Sequence, residues 1–227
     1  MSELLSRLIA LLFSCIAPIG VSVWLGLQRN KFLKPILFGA LTFIVFQILT
    51  RIPLLQLVIQ PMPWYSLMSA ANPYLTGLFL GFTAALFEEG GRFIIMSLFL
   101  KKNSRIEDGI AFGIGHGGAE ATLLLGINTL VLLIMGIDTG DPALYVAAGG
   151  VERLFAMICH IAFSVMVLES VKNKNLWYLV LAVALHTAVN LAAVVLMFYR
   201  LPVLWIEAFI GVFALCMLLY TVLVFRK

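Results

Sequence analysis

The chain has 227 residues, of which 63% are hydrophobic and only 11% charged, with a formal net charge of +4. A soluble domain carries about a quarter charged residues, so the composition and a mean hydropathy of +1.08 exclude a water-soluble globular protein. A spanning helix needs roughly 20 mainly apolar residues, which leaves room for about seven to nine spans and no sizeable soluble domain.

Taken in chain order, the apolar runs predict an all-α, polytopic membrane bundle of seven transmembrane helices, at roughly 4–27, 35–59, 74–100, 109–137, 150–171, 176–198 and 203–225. Residues 1–227 read as one membrane-embedded domain. The first run is longer than the roughly 7–15 apolar residues of a signal peptide and is read as a span. Pro35, Pro61, Pro63, Pro73, Pro142 and Pro202 sit at or outside the boundaries, where helix breakers belong. Pro18 and Pro53 lie inside spans and predict kinks, which membrane helices tolerate. Segment 60–73 has no charge but carries Trp64 and Tyr65, and suits a loop or short interfacial helix in the aromatic belt. The spacings Gly77-xxx-Gly81 and Gly113-xxx-Gly117 let helices approach closely. Cys15, Cys159 and Cys216 fall inside apolar runs and read as small buried hydrophobes.

Charge placement orients the bundle. Arg29, Lys31 and Lys34, then Lys101, Lys102 and Arg105, then Lys172 and Lys174, and finally Arg226 and Lys227 would share one side; they are ten of the fifteen basic residues. The opposite side offers Arg7, Arg200 and the acidic connection with Asp138 and Asp141. The positive-inside rule then predicts an N-terminus outside and a C-terminus in the cytoplasm, for a multi-pass protein of the plasma membrane. These basic clusters are short and touch membrane ends, so they do not form a nucleic-acid-binding face. The lipid bilayer is the expected partner, together with a membrane-associated or membrane-delivered peptide or protein.

Ionisable side chains at membrane depth are costly and face a cavity or a partner. Span three carries Glu88, Glu89 and Arg92; span four carries Phe112, His116 and Glu120; span five carries Glu152, Arg153 and His160; span six carries His186 and Asn190. Helical rise places Glu88, His116, His160, His186 and Asn190 about 10–20 Å below the basic side. Glu88 and Arg92 are i,i+4, and Glu89 and Arg92 are i,i+3, so one guanidinium can reach both carboxylates. Glu88 and Glu89 point about 100° apart, which suggests Glu88 towards a cavity and Glu89 held by Arg92 or a neighbouring helix. A carboxylate in an apolar site can serve as a general base, His116 can hold the same water, and donors from His186 and Asn190 can stabilise an oxyanion. Alone, the Glu89–Arg92 pair, the Glu152–Arg153 pair near the outer end of span five, and His160 each read as packing or interfacial features.

The order EExxR (Glu88, Glu89, Arg92), FxxxH (Phe112, His116) and HxxxN (His186, Asn190) on successive spans resembles the type II CAAX prenyl endopeptidase and bacteriocin-processing superfamily of glutamate-dependent intramembrane proteases. The segments GIGHGGAEA and GGVERLFAMICH are more specifically similar to the YhfC family of bacterial membrane peptidases. The resemblance implies a water activated by Glu88 and His116 and an oxyanion stabilised by His186 and Asn190, with Glu89, Arg92, Phe112, Glu120 and His160 in support. The first motif here is one residue shorter than the superfamily's usual EExxxR, which turns the guanidinium by about 100° around the helix.

The leading expectation is therefore an intramembrane endopeptidase that needs no cofactor and cuts near the cytoplasmic side. A zinc-dependent version draws on His116, His160, His186, Glu88 and Glu120, since three protein ligands plus water make a catalytic zinc site. A non-catalytic scaffold for a partner enzyme and a proton-coupled transporter are the other classes that such a buried network could serve.

Overall fold

The computed structural model describes residues 2–100 and 105–225. Lys101, Lys102, Arg226 and Lys227, four of the residues used to orient the bundle, lie outside them. Among the described residues there are eight helices and no strand. They are α1 (Glu3–Gln28), α2 (Asn30–Ile59), α3 (Pro63–Ala71), α4 (Pro73–Phe99), α5 (Ile106–Met135), α6 (Ala143–Asn173), α7 (Trp177–Phe198) and α8 (Val203–Phe225).

Local chemistry sets several of the ends. The Ser2 side chain accepts from the Leu5 amide at the start of α1, and the Asn72 side chain accepts from the Leu75 amide at the start of α4, where Pro73 takes the first helical position. Gly136, at φ +63°, closes α5 in the left-handed conformation that glycine adopts without steric cost.

Seven of these helices correspond to the seven expected spans, but only six are long and apolar enough to cross a membrane. The exception is α4, whose 27 residues reach about 40 Å. Its apolarity is diluted by Glu88, Glu89 and Arg92, all buried in the bundle. A second difference concerns α6, which starts at Ala143 rather than at residue 150. Segment 60–73 contains the short helix α3, where Trp64 and Tyr65 pack edge-on against Phe79.

Three helices contain π turns: Leu12–Ile16 in α1, Ile44–Arg51 and Leu54–Ile59 in α2, and Thr122–Gly126 in α5. Pro18 and Pro53 each follow such a turn closely. A proline removes one backbone donor, and a widened turn is one way a membrane helix absorbs that loss.

Packing follows the small residues. Helix α4 lies along α7, α5 is held between α2 and α6, and α8 rests mainly on α6. A Cβ on Gly81 would stand 2.8 Å from the Thr187 carbonyl oxygen, and one on Gly113 would stand 2.5 Å from the Ile161 Cα. A Cβ on Gly115 would fall onto the Ile36 carbonyl. So Gly113 faces α6 and Gly115 faces α2, which fixes the azimuth of His116 beside them. In lipid, such close backbone approach gives van der Waals contact that the hydrophobic effect does not supply. Met96, Phe112, Phe163, Met166 and Leu168 fill the core next to it.

Candidate functional site

Glu88 is the hub of a buried polar cluster contributed by α2, α4, α5, α6 and α7. Its Oε2 lies 3.0 Å from His116 Nε2, 3.4 Å from Arg92 Nη2 and 3.7 Å from His160 Nδ1. A carboxylate can only accept, so His116 donates from Nε2, and its Nδ1 is buried without a partner. The other carboxylate oxygen, Oε1, accepts from Gln47 Nε2 on α2.

The neighbouring Glu89 is fully buried. Its Oε1 accepts from Arg92 Nη1 and lies 2.7 Å from His186 Nδ1. With Nδ1 donating to Glu89, His186 keeps Nε2 for other work. Arg92 thus touches both glutamates. Its Nη2 also donates to His160 Nδ1 at 2.7 Å. On the far side of His160, Nε2 lies 2.5 Å from Glu120 Oε2, yet that oxygen has no hydrogen-bond partner. Glu120 Oε1 accepts from Arg153 at 2.8 Å, and Arg153 also holds Glu152.

A cavity of about 310 Å³ adjoins the cluster. Its polar lining comes from Gln47, Arg51, Glu88, Glu120, Glu152, Arg153, His160, His186 and Asn190. Asn190 lies one turn beyond His186 on α7. His116 stands behind Glu88, outside the lining, with Phe43 edge-on to its ring. Phe112 is fully buried in the apolar core and does not line the cavity.

Four polar residues of this cavity carried no functional role in the reading of the sequence. Gln47 and Arg51 are i,i+4 in an apolar span, which is itself the signal that marks them. Glu152 and Arg153 read as packing or interfacial features, and because α6 begins seven residues earlier than expected they lie about two turns further along the helix.

Two groups of side chains could hold a metal ion. Glu88, His116, Glu120 and His160 form one, and Glu88, Glu89 and His186 form the other; within each, one ligand atom per residue lies within 4.8 Å of all the others. The Arg92 guanidinium binds both carboxylates of the second group; in the first group it reaches Glu88 and His160 but not His116 or Glu120. The first group fits a metal better. Zinc bonds of about 2.0–2.1 Å give tetrahedral ligand–ligand edges of about 3.3 Å. The separations of 3.0 and 3.7 Å from Glu88 Oε2 to His116 Nε2 and His160 Nδ1 bracket that edge. The orphaned Glu120 Oε2 supplies a further oxygen donor.

The fold and this centre define an integral, multi-pass, all-α membrane protein with a buried carboxylate–histidine cluster of a kind that can bind a metal. The family described as YhfC intramembrane metalloprotease matches over residues 13–147 and 138–211. A relative described as "Uncharacterized membrane protein YhfC", from Bacillus subtilis (strain 168), is 31% identical over 203 residues, covering 78% of each chain. The chain belongs to the YhfC family. No solved structure matches it significantly.

Proposed function

We propose that the protein is a metal-dependent endopeptidase of the membrane interior, and that His116, Glu120 and His160 hold zinc beside Glu88. The observation that carries this reading is the convergence of those four side chains, from three helices, beside a cavity of about 310 Å³. Two histidines with carboxylate oxygens form a donor set suited to zinc. Bound there, zinc would polarise the scissile carbonyl and make a water nucleophilic near neutral pH.

The chain's own residues supply the rest. Glu88, whose Oε2 faces His116 and His160, can take a proton from the attacking water. Across the cavity, Asn190 can donate its amide to the developing oxyanion, and His186, held by Glu89, can donate from Nε2 when both ring nitrogens carry protons. The substrate would be a peptide segment already in or at the membrane. The basic helix ends would face the cytoplasm.

A metal-free version, with Glu88 and His116 alone activating water, has one observation in its favour. Arg92 Nη2, within reach of both Glu88 Oε2 and His160 Nδ1, is a protein cation beside the position a metal would take. Metal analysis of the purified chain separates the two. Stoichiometric zinc lost in His116→Ala supports the metal centre, and a fully active zinc-free preparation excludes it. N-terminal peptide profiling of membranes expressing wild type or Glu88→Gln tests proteolysis itself. New N-termini with wild type only mark a protease, and identical profiles with an intact phenotype mark a scaffold.

A further inference from the structure

We infer that Gln47, oriented by Arg51, is a positioning residue that splits the two oxygens of Glu88 into a held one and a working one. The inference rests on the metal-centre reading above, and neither residue figures in it.

Gln47 lies in the π turn Ile44–Arg51 of α2 and is only 4% exposed. Widened turns of this kind inside α-helices are frequent at functional sites. This one brings Gln47 and Arg51 to the same wall of the cavity as Glu88. A buried amide must be satisfied at both ends, and here its neighbours decide which end faces which. Arg51 Nη1 lies 3.3 Å from the Gln47 oxygen, and a guanidinium can only donate. The amide oxygen therefore faces Arg51, and Nε2 faces Glu88, where it donates to Oε1. Flipping the amide would set two donors against each other at one end and two acceptors at the other.

Arg51 is itself anchored. Its Nη2 donates to the Leu80 carbonyl at 2.8 Å, and its Nε lies 3.3 Å from Thr83 Oγ1, both on α4. The relay thus runs from the α4 backbone through Arg51 and Gln47 and returns to α4 at Glu88, two turns further along. It closes a loop between α2 and α4 with the reactive carboxylate at its end. Oε1 is occupied, and Oε2 is left to His116, Arg92 and any bound cation. Without Gln47, the carboxylate could rotate, offer both oxygens to the metal, or take water from the cavity at Oε1.

Outer groups that orient the side chains around a metal typically contribute about 10–100-fold in metal affinity or activity. The experiment is a zinc competition titration against a chromophoric chelator, on the full chain in detergent, for wild type, Gln47→Leu, Arg51→Met and the double variant. Melting of the metal-free proteins is followed in parallel. The relay predicts about 10–100-fold weaker zinc binding in Gln47→Leu. It also predicts that Arg51→Met weakens binding alone but adds nothing in the Gln47→Leu background, since coupled residues are non-additive. Wild-type affinity in Gln47→Leu overturns the inference, and so does full additivity, which would make Arg51 an independent contributor. A Gln47→Leu loss of affinity matched by a collapse of metal-free melting would mean that Gln47 only packs, and would overturn it as well. If wild type binds no zinc, the metal centre falls and the relay is judged by the Gln47 side-chain amide resonances. A shift towards free-glutamine values in Glu88→Gln supports it, and unchanged resonances overturn it.

Discussion

Two buried arginines, Arg7 and Arg92, are held in different ways. Arg7 donates to the carbonyls of Leu132 and Ile137 at the end of α5 and pairs with Glu3 one turn away. Its partners are mainly backbone, and none of its atoms is left buried and unsatisfied. Arg92 is surrounded by titratable side chains: Glu88, Glu89 and His160. Around it, Arg92 Nε, Glu89 Oε2, His116 Nδ1 and Glu120 Oε2 are buried with no partner. A membrane interior penalises unsatisfied polar atoms heavily. Arg7 therefore reads as a clamp that ties helix ends together, and the Arg92 region as the polar centre on which the proposed function rests.

The largest expected effect separates the two regions most sharply. Glu88→Gln preserves shape and removes the base, so cleavage in membranes should fall about 10²–10⁴-fold, while helical content by circular dichroism stays at the wild-type level. A variant retaining most of the activity would remove Glu88 from the chemistry. Next comes His116→Ala, which should abolish stoichiometric zinc in elemental analysis. The Arg7→Met protein should keep its full zinc content, and if both variants lose zinc equally, the distinction between clamp and site collapses.

The same contrast governs what the sequence reveals. Ionisable residues in apolar runs stand out because lipid makes them costly, so Glu88, Glu89, Arg92, His116, His160 and His186 are visible as a set, and helical spacing shows which can share a face. The convergence of those faces is not visible, because it depends on backbone approaches such as Gly115 against Ile36. Glu152 and Arg153 lie about two turns further along α6 than expected, because the apolar stretch 143–149 after Pro142 continues the helix rather than the connection. Gln47 and Arg51 are legible by the same rule, as an i,i+4 polar pair inside an apolar span, although no role is read for them from the sequence. The charges that cluster in α4 have the reverse effect, taking the helix that carries Glu88, Glu89 and Arg92 below the apolarity of the other six.

Arg7→Met should act on stability. The carbonyls of Leu132 and Ile137 lose a charged donor, worth about 1.5–3 kcal/mol per bond. Thermal melting in detergent should drop, while activity per folded molecule stays unchanged. Gly115→Ala couples the two regions. Its new Cβ collides with backbone at Ile36, so α5 must move away from α2 and carry His116 with it. Overpacking of this sort costs about 1–3 kcal/mol, and here it should lower both the melting temperature and zinc affinity. A stable variant with normal zinc binding would show that the α2–α5 approach does not set the position of His116.

The smallest effect is expected at Gly90, next to Glu89 in sequence. A Cβ there meets nothing within 4 Å, unlike one on Gly91, which would press into the Phe46 ring at 2.7 Å. Alanine replaces glycine inside a helix with a gain of about 0.5–1 kcal/mol from the smaller entropy lost on folding. Gly90→Ala should therefore raise the melting temperature slightly and leave zinc binding and cleavage untouched, whereas Gly91→Ala should disturb α2 through Phe46, two residues from Ile44 and one from Gln47. If Gly90→Ala reduces activity without loss of stability, then α4 must flex at Gly90 during turnover, and the cluster around Arg92 is a moving part rather than a fixed frame.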